Sequence, residues 1–501
     1  LSSQSSIYKQ TNMPKIAIVG LATQYPDADT PVKFWQNLLD KKDSRSTISR
    51  QKLNAEPADY QGVQGQSDRF YCDKGGYIQN FSFNAQGYRI PAQQFNGLDD
   101  SFLWATDTAR KALIDAGVDI NNPQYNALLN RTGIVMGTLS FPTAKSNELF
   151  VPLYHSVVEK ALQAKLQQTD FTLQSFNQNG QSPQAEQASI SNGAIAHNAS
   201  KLVADALGLG AAQLSLDAAC ASSVYSLKLA CDYLHTGKAD MMLAGAVSGA
   251  DPFFINMGFS IFHAYPDHGI SAPFDSNSKG LFAGEGAGVL VLKRLEDAER
   301  DGDHIYALVC GIGLSNDGKG QFVLSPNSNG QIKAFERAYA DAAMHDAHFG
   351  PANIEVIECH ATGTPLGDKV ELTSMERFFA DKLNGSHAPL IGSAKSNLGH
   401  LLTAAGMPGI MKMIFAMRQG VLPPVLTLAP RLTHPIAPLA QPTCPVMCSL
   451  GLIKQAITPA MLAFRSLVLV VVTPIYYLNL IKLKRQHQRF RFKSLKQQAL
   501  R

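Results

Sequence analysis

No aspartate or glutamate occurs between Val421 and Arg501, although that stretch carries eleven lysines and arginines. Set against the formal net charge of +4, those eleven leave residues 1–420 at −7. The body is acidic and gives no footprint for nucleic acid; a basic tail can contact nucleic acid or lipid headgroups, but a different origin for this one emerges below. Cysteine is also sparse. The seven residues, Cys72, Cys220, Cys231, Cys310, Cys359, Cys444 and Cys448, show neither a paired framework nor a CxxC spacing. A disulfide scaffold is excluded, no metal site is indicated, and a reducing cytoplasm is the expected location. The opening LSSQSSIYKQTN lacks a charged region followed by an apolar one, so it is no signal peptide. Residues 1–13 are expected to form a disordered leader, and the initial leucine suggests a piece of a longer chain. KIAIVG, from Lys15 to Gly20, reads as a buried strand ending on glycine, but the GxGxxG pattern of a dinucleotide loop is missing.

What is present describes a large globular chain. With 501 residues, 45% hydrophobic and 17% charged, it can bury a sizeable core as two or three domains, or as one large α/β unit with two similar halves. Short apolar runs of strand length recur at 131–136, 214–219, 241–247 (MMLAGAV), 287–292, 305–310, 354–359 and 389–394. Helical spacing appears at 34–39, 107–117, 149–165, 192–207 and 331–343. Strands alternating with helices predict a mostly parallel sheet covered on both faces. Residues 41–97 read as an irregular surface excursion and 167–187 as a polar loop or flap. The glycine-rich GLFAGEGAG, 280–288, reads as tight backbone packing rather than a phosphate loop.

The stretch LSLDAACASSVYSLKL, Leu214 to Leu229, runs an apolar strand into a cysteine at the start of a helix. Small residues on both sides of Cys220 permit a tight turn. The positive end of a helix favours thiolate, so a lowered pKa is expected there. A buried structural cysteine is the competing reading. Two histidine motifs, HATGTPLGD opening on His360 and KSNLGH closing on His400, lie near predicted strand ends among Gly, Thr and Ser. The carboxyl ends of parallel strands are where α/β sites assemble. Cys359 precedes His360, and strand alternation sends it to the opposite face, into the core.

DAACASS, HATGTPLGD and KSNLGH, in that order, resemble the three active-site signatures of the β-ketoacyl synthases, the condensing enzymes of fatty-acid and polyketide assembly. KIAIVGLATQYPDADTPVKFW resembles the opening segment of the modular ketosynthases. PFFINMGFSIFHAYPDHGISAPFD, 252–275, is similar to the first ketosynthase of a bacterial polyunsaturated fatty acid synthase subunit that also carries a chain-length-factor-like domain and dehydratases. The resemblance spans 14–424. It implies the thiolase-like fold, two similar βα halves in a layered αβαβα core, here 14–295 and 296–424. It also implies a decarboxylative Claisen condensation of an acyl thioester with malonyl carrier protein, with Cys220 as nucleophile and His360 and His400 donating hydrogen bonds to the malonyl thioester oxygen. Thr362 and Thr364 match residues that bond the phosphopantetheine arm, which arrives on an acyl carrier protein, no cofactor being tightly bound. Lys395 and Glu371 match a buried ion pair. The expected assembly is a homodimer, or a heterodimer with a chain-length-factor-like domain, with MMLAGAV or a neighbouring strand at the two-fold axis. A Cys/His protease has no use for the second histidine. A chain-length factor lacks the cysteine. A coenzyme A thiolase needs a second catalytic cysteine, for which Cys444 and Cys448 have no suitable glycine setting.

One family feature is missing. A glycine-rich GFGGxNAH segment, implied to gate the acyl pocket and complete the oxyanion hole, has no counterpart; Ser466 to Ile481 reads SLVLVVVTPIYYLNLI. That run is too short for a membrane helix and contains Pro474. Permitted codons for SLVLVVVTPIYYLN, read from the third nucleotide, spell FGFGGCNAHLLLE. Residues 425–501 are therefore expected to be a non-family tail, translated out of frame and poorly ordered, which also accounts for its missing acids. A truncated scaffold without activity is the alternative this raises.

Overall fold

A computed structural model describes residues 13–167, 172, 188–267, 269, 271–318, 325–383, 389–426 and 466–469, with the backbone alone for 195–198 and 466–469. The leader up to residue 12, most of the polar flap and most of the basic tail lie outside these residues. In chain order, β1 (Ile16–Gln24), buried throughout, leads to α1 (Pro31–Leu39). Thr30 starts that helix by accepting the Lys33 N–H, and Pro31 sits in the first turn, where a missing donor costs nothing. The polar excursion carries only β2 (Ser46–Thr47), α2 (Arg50–Leu53) and β3 (Lys74–Gly75) besides short 3₁₀ turns. The first half continues through α3 (Asp100–Asp115), α4 (Asn126–Asn130), β4 (Thr132–Thr138), α5 (Ala144–Leu166), α6 (Ile195–Leu207), β5 (Gln213–Leu216), α7 (Ser222–His235), β6 (Met241–Ser248), α8 (Pro252–Ile261) and β7 (Gly286–Arg294). The second holds α9 (Leu295–Asp301), β8 (Ala307–Ile312), α10 (Ser328–Ala343), β9 (Val356–Glu358), α11 (Pro365–Phe379), β10 (Leu390–Gly392), α12 (Lys395–Leu398), α13 (Gly406–Gln419) and β11 (Ser466–Leu469).

Seven strands form one sheet in the order β11-β8-β1-β7-β6-β4-β5. Its inner strands β1, β4, β6 and β7 bury both faces, which is why they read as unbroken apolar runs rather than alternating ones, while the edge strand β5 is partly exposed. Ile16 and Ile18 of β1 join one core with Leu227 of α7 and Ile410 of α13; Ala17 and Val19 join another with Ala109 of α3 and Val203 of α6. Beyond α7 and α13 lies the parallel pair β9–β10, covered in turn by α10 and α11 through Phe335, Tyr339, Ile357 and Phe378. The layers are thus α, β, α, β, α, as the thiolase-like reading requires.

The sheet is mixed, not mostly parallel. β4 pairs in parallel with β5 and β6, but β7 is antiparallel to both β6 and β1, and β1 is antiparallel to β8. An apolar run identifies a buried strand but carries no direction. MMLAGAV also proves to be interior. As β6 it has β4 on one side and β7 on the other, so it offers no edge to a second copy, whereas β5 ends the sheet. The glycines of 280–288 do serve close packing: a Cβ on Gly288 would fall 2.6 Å from the Met407 Cβ. Four residues of the tail, Ser466–Leu469, pair in parallel with β8. Among the described residues no helix is long and apolar enough to cross a membrane.

Candidate active site

Cys220 sits in a short 3₁₀ turn, Ala219–Ala221, between the end of β5 and the start of α7. Ala219 is held at φ 51°, a left-handed conformation that costs an ordinary residue of order 1 kcal/mol. The turn is over-determined: Asp217 Oδ1 accepts the Ala219 N–H at 2.8 Å, while Ser222 Oγ accepts the Ala218 N–H at 2.8 Å and donates to the Ala219 carbonyl at 2.7 Å. Those constraints present the sulfur at the sheet end, half-buried.

His360 follows β9. The Glu371 carboxylate, projecting from α11, accepts the consecutive N–H groups of His360 and Ala361 at 2.7 Å each and fixes the backbone that carries the ring. His400 follows α12 and is held by its backbone. Its own N–H donates to the Phe282 carbonyl at 2.7 Å and its carbonyl accepts from Gly284 at 2.8 Å. Gly399, at φ 81°, makes that approach possible, since a Cβ there would lie 2.7 Å from the Phe282 oxygen.

The three motifs converge. Cys220 Sγ and one ring nitrogen of each histidine lie within 4.8 Å of one another. The two rings meet edge to face with centroids 5.3 Å apart. A sulfur with two imidazoles is also a donor set for zinc, but the hydrogen bonding of His400 points elsewhere. The Leu402 N–H, which can only donate, lies 2.9 Å from His400 Nδ1, so Nδ1 accepts and Nε2 carries the proton. That nitrogen is a hydrogen-bond donor, not a metal ligand.

The electrostatics correct the expectation of a thiolate. Burial pushes the Cys220 thiol up to about 11, overcoming the opposing pull of the Lys395 charge. Burial, reinforced by Lys395, pushes His400 down to about 3 and His360 well below its ordinary range. The resting site therefore holds a neutral thiol and two neutral imidazoles. Alkylation of Cys220 by iodoacetamide, followed by peptide mass, is expected to accelerate about tenfold per pH unit from 7 to 10, because only the thiolate reacts. A plateau by pH 8 would contradict this.

Lys395 and Glu371 do not form the expected ion pair. Among the described residues no carboxylate lies within 4.0 Å of the Lys395 ammonium, and Glu371 spends its oxygens on the two backbone donors. Burial lowers the Lys395 pKa, opposed first by Glu358 and then by Glu371. Thr362 and Thr364 do face each other, Oγ1 to Oγ1 at 3.0 Å. Cys359 is in the core, 3% exposed, as alternation predicts. Sequence reasoning passed over Asp368, the last residue of HATGTPLGD. Its buried carboxylate accepts the Phe274 N–H at 2.8 Å and the Gly363 N–H at 3.2 Å, joining the 271–278 loop to the threonine loop. Its place at the end of the motif was the available signal.

Profiles of known families match both halves. The Beta-ketoacyl synthase N-terminal domain matches residues 13–298 and the C-terminal domain residues 306–429. The chain belongs to the β-ketoacyl synthase family. The family is one of acyltransferases, and its solved members share the thiolase-like layered fold seen here. The chain is 35% identical over 423 residues to a polyunsaturated fatty acid synthase protein of Thraustochytrium sp., covering 84% of this chain and 19% of that relative. It is similar to a solved structure described as the PfaC keto synthase-chain length factor, at 51% identity with a TM-score of 0.77, over 84% of this chain and 44% of that one. The ketosynthase from module 6 of the bacillaene synthase of Bacillus subtilis 168 is 26% identical with a TM-score of 0.66, over 85% and 65%. The chain spans about a fifth of the length of the curated relatives it matches.

Proposed function

We propose that this chain is a condensing domain that joins an acyl thioester to malonyl carrier protein in fatty acid or polyketide assembly, with Cys220, His360 and His400 as its catalytic residues. The observation that carries the reading is the convergence of one sulfur and two ring nitrogens within 4.8 Å, with a proton on the outer nitrogen of His400. In the first half-reaction the Cys220 sulfur attacks the acyl carbonyl; the new carbon–sulfur bond replaces the one to pantetheine, whose departing sulfur takes the proton. In the second, malonyl thioester loses carbon dioxide and the electron pair left behind becomes an enolate. Neutral imidazoles donate hydrogen bonds to its oxygen in a site that burial has dried, where each donor counts for more than in water. The enolate carbon then attacks the Cys220 thioester, a carbon–carbon bond forms, and the sulfur leaves as thiolate and takes a proton from water.

Thr362 and Thr364 would bond the phosphopantetheine arm, brought by an acyl carrier protein; their paired hydroxyls at the rim of the His360 loop support that role. Lys395 supplies positive charge beside all three reacting groups. Five described cysteines are free, which supports a reducing cytoplasm. A second ketosynthase-fold unit is the proposed partner, seated on the outer edge of β5 and on α5. The α5 helix exposes Leu153, Tyr154, Val157 and Val158 and buries only Ser146. Light scattering on the expressed chain should show a pair, and Val157→Glu should separate it.

The assay is carbon dioxide release together with ketoacyl product from acyl and malonyl carrier proteins. One observation favours a second reading, a folded scaffold without activity: SLVLVVVTPIYYLNLI stands in place of the glycine-rich segment. The out-of-frame origin we propose for 425–501 is supported by family matches that end at residue 429. Codons incompatible with the shifted reading, found on sequencing the coding nucleic acid, would end that proposal.

A further inference from the structure

Next to the segment that carries His360 lies a buried ion pair that the site as described does not use. Glu358, last residue of β9, holds Lys412 of α13 at 2.6 Å, with the lysine side chain 4% exposed. Its other oxygen accepts the Ala394 N–H at 2.6 Å. Two glycines make room for the pair: a Cβ on Gly409 would fall 2.8 Å from Glu358 Cγ, and one on Gly392 would fall 3.0 Å from Lys412 Nζ. Glu358 precedes His360 by two residues. Ala394 immediately precedes α12, which begins at Lys395 and ends at Leu398, two residues before His400. Gly392 is also the residue opposite Glu358 in the β9–β10 pair. One carboxylate therefore ties together the segment carrying His360, the segment carrying Lys395 and His400, and the helix behind them.

We infer that Glu358, clamped by Lys412, is a positioning residue that sets the separation of the two imidazoles. The proposal rests on the condensing reading of the same site. A carboxylate in that place does two things that a neutral group of the same shape does only in part. The amide of a Glu358→Gln variant would still accept the Ala394 N–H, but it would leave Lys412 buried without an anion and Lys395 facing less negative charge. The geometry of the malonyl step depends on both rings reaching one oxygen, whereas acyl transfer to Cys220 depends on the turn after β5. Disturbing Glu358 should divide the two half-reactions.

The test uses the full chain as Glu358→Gln and as Glu358→Gln with Lys412→Met, the second removing the lone buried charge so that the fold is retained. Exposed Lys201→Met is the control. Both Glu358 variants are expected to condense at least about tenfold more slowly, with KM for malonyl carrier protein and the rate of Cys220 acylation each within about threefold of the parent. Recovery of condensation to within about threefold in the double variant, or equal losses in both half-reactions, would overturn the inference. A readout independent of turnover separates it from the condensing reading. In chain labelled with ¹⁵N-histidine, the ring signals of His360 and His400 should move in the double variant and stay fixed in Lys201→Met. Unmoved signals would overturn the inference even if the parent chain makes no product; an inactive parent with shifted signals would instead remove the condensing reading and leave the positioning role.

Discussion

Cys220→Ala is expected to yield no ketoacyl product and no covalent acyl-enzyme. In the proposed mechanism the thioester on this sulfur divides one difficult step into two, and among the described residues Cys220 is the cysteine grouped with both histidines. Cys231 and Cys359 are buried, with their thiols pushed up by loss of hydration, and Cys359 faces away from the histidines into the core of the second half. The fall in condensation should be of the order reached when a nucleophile is deleted, roughly 10⁴-fold or more. The same variant should still release carbon dioxide from malonyl carrier protein, because both imidazoles proposed to stabilise the enolate remain. Product formation and gas release measured side by side check this. A loss of both activities, in a chain that keeps its thermal unfolding midpoint, would mean that the sulfur is part of the decarboxylation site as well.

His400→Ala should have the next largest effect. Removing a donor aimed at a developing oxyanion typically costs 10²- to 10³-fold in turnover, about 3–4 kcal/mol. His360→Ala should do the same, and the two together should cost less than the sum, since they act on one oxygen. His400 has a second task. It accepts the Leu402 N–H, and Leu402 is held at φ 46°, so the alanine variant also loses a restraint on a strained turn. Asparagine, which can accept from Leu402 and donate into the pocket, should recover part of the loss. Because burial keeps both rings neutral, with His400 pushed down to about 3, condensation should show no loss from imidazole protonation as the pH falls from 8 to 5. A steep decline with a midpoint near 6.5 would contradict the neutral-donor role.

Much of this site was legible because its parts are local. Each reacting side chain follows a strand end or closes a short glycine-bearing turn, and such turns leave residue patterns that can be read without a fold. The inner strands were legible because both of their faces are covered, so they read as apolar runs, whereas the helices α8, α11 and α13 were not read from their spacing. What could not be read is what depends on long-range pairing. The direction of β7 is invisible in AGVLVL, as is the interior place of MMLAGAV between two neighbours. The Cys220 thiol was misjudged because the helix start is visible in sequence while the depth of burial is not. Lys395 was given a carboxylate partner, Glu371, that it does not pair with. The bond between Glu371 and two backbone N–H groups, and the clamp of Glu358 on Lys412 across 54 residues, exist only once α11, α12 and α13 have packed.

Intact-mass analysis of the expressed chain after incubation with an acyl carrier thioester tests the central claim most directly. One acyl group per chain is expected, mapped by peptide mass to the segment containing Cys220 and absent from Cys220→Ala. An unmodified chain, or an adduct that persists in Cys220→Ala, would contradict it.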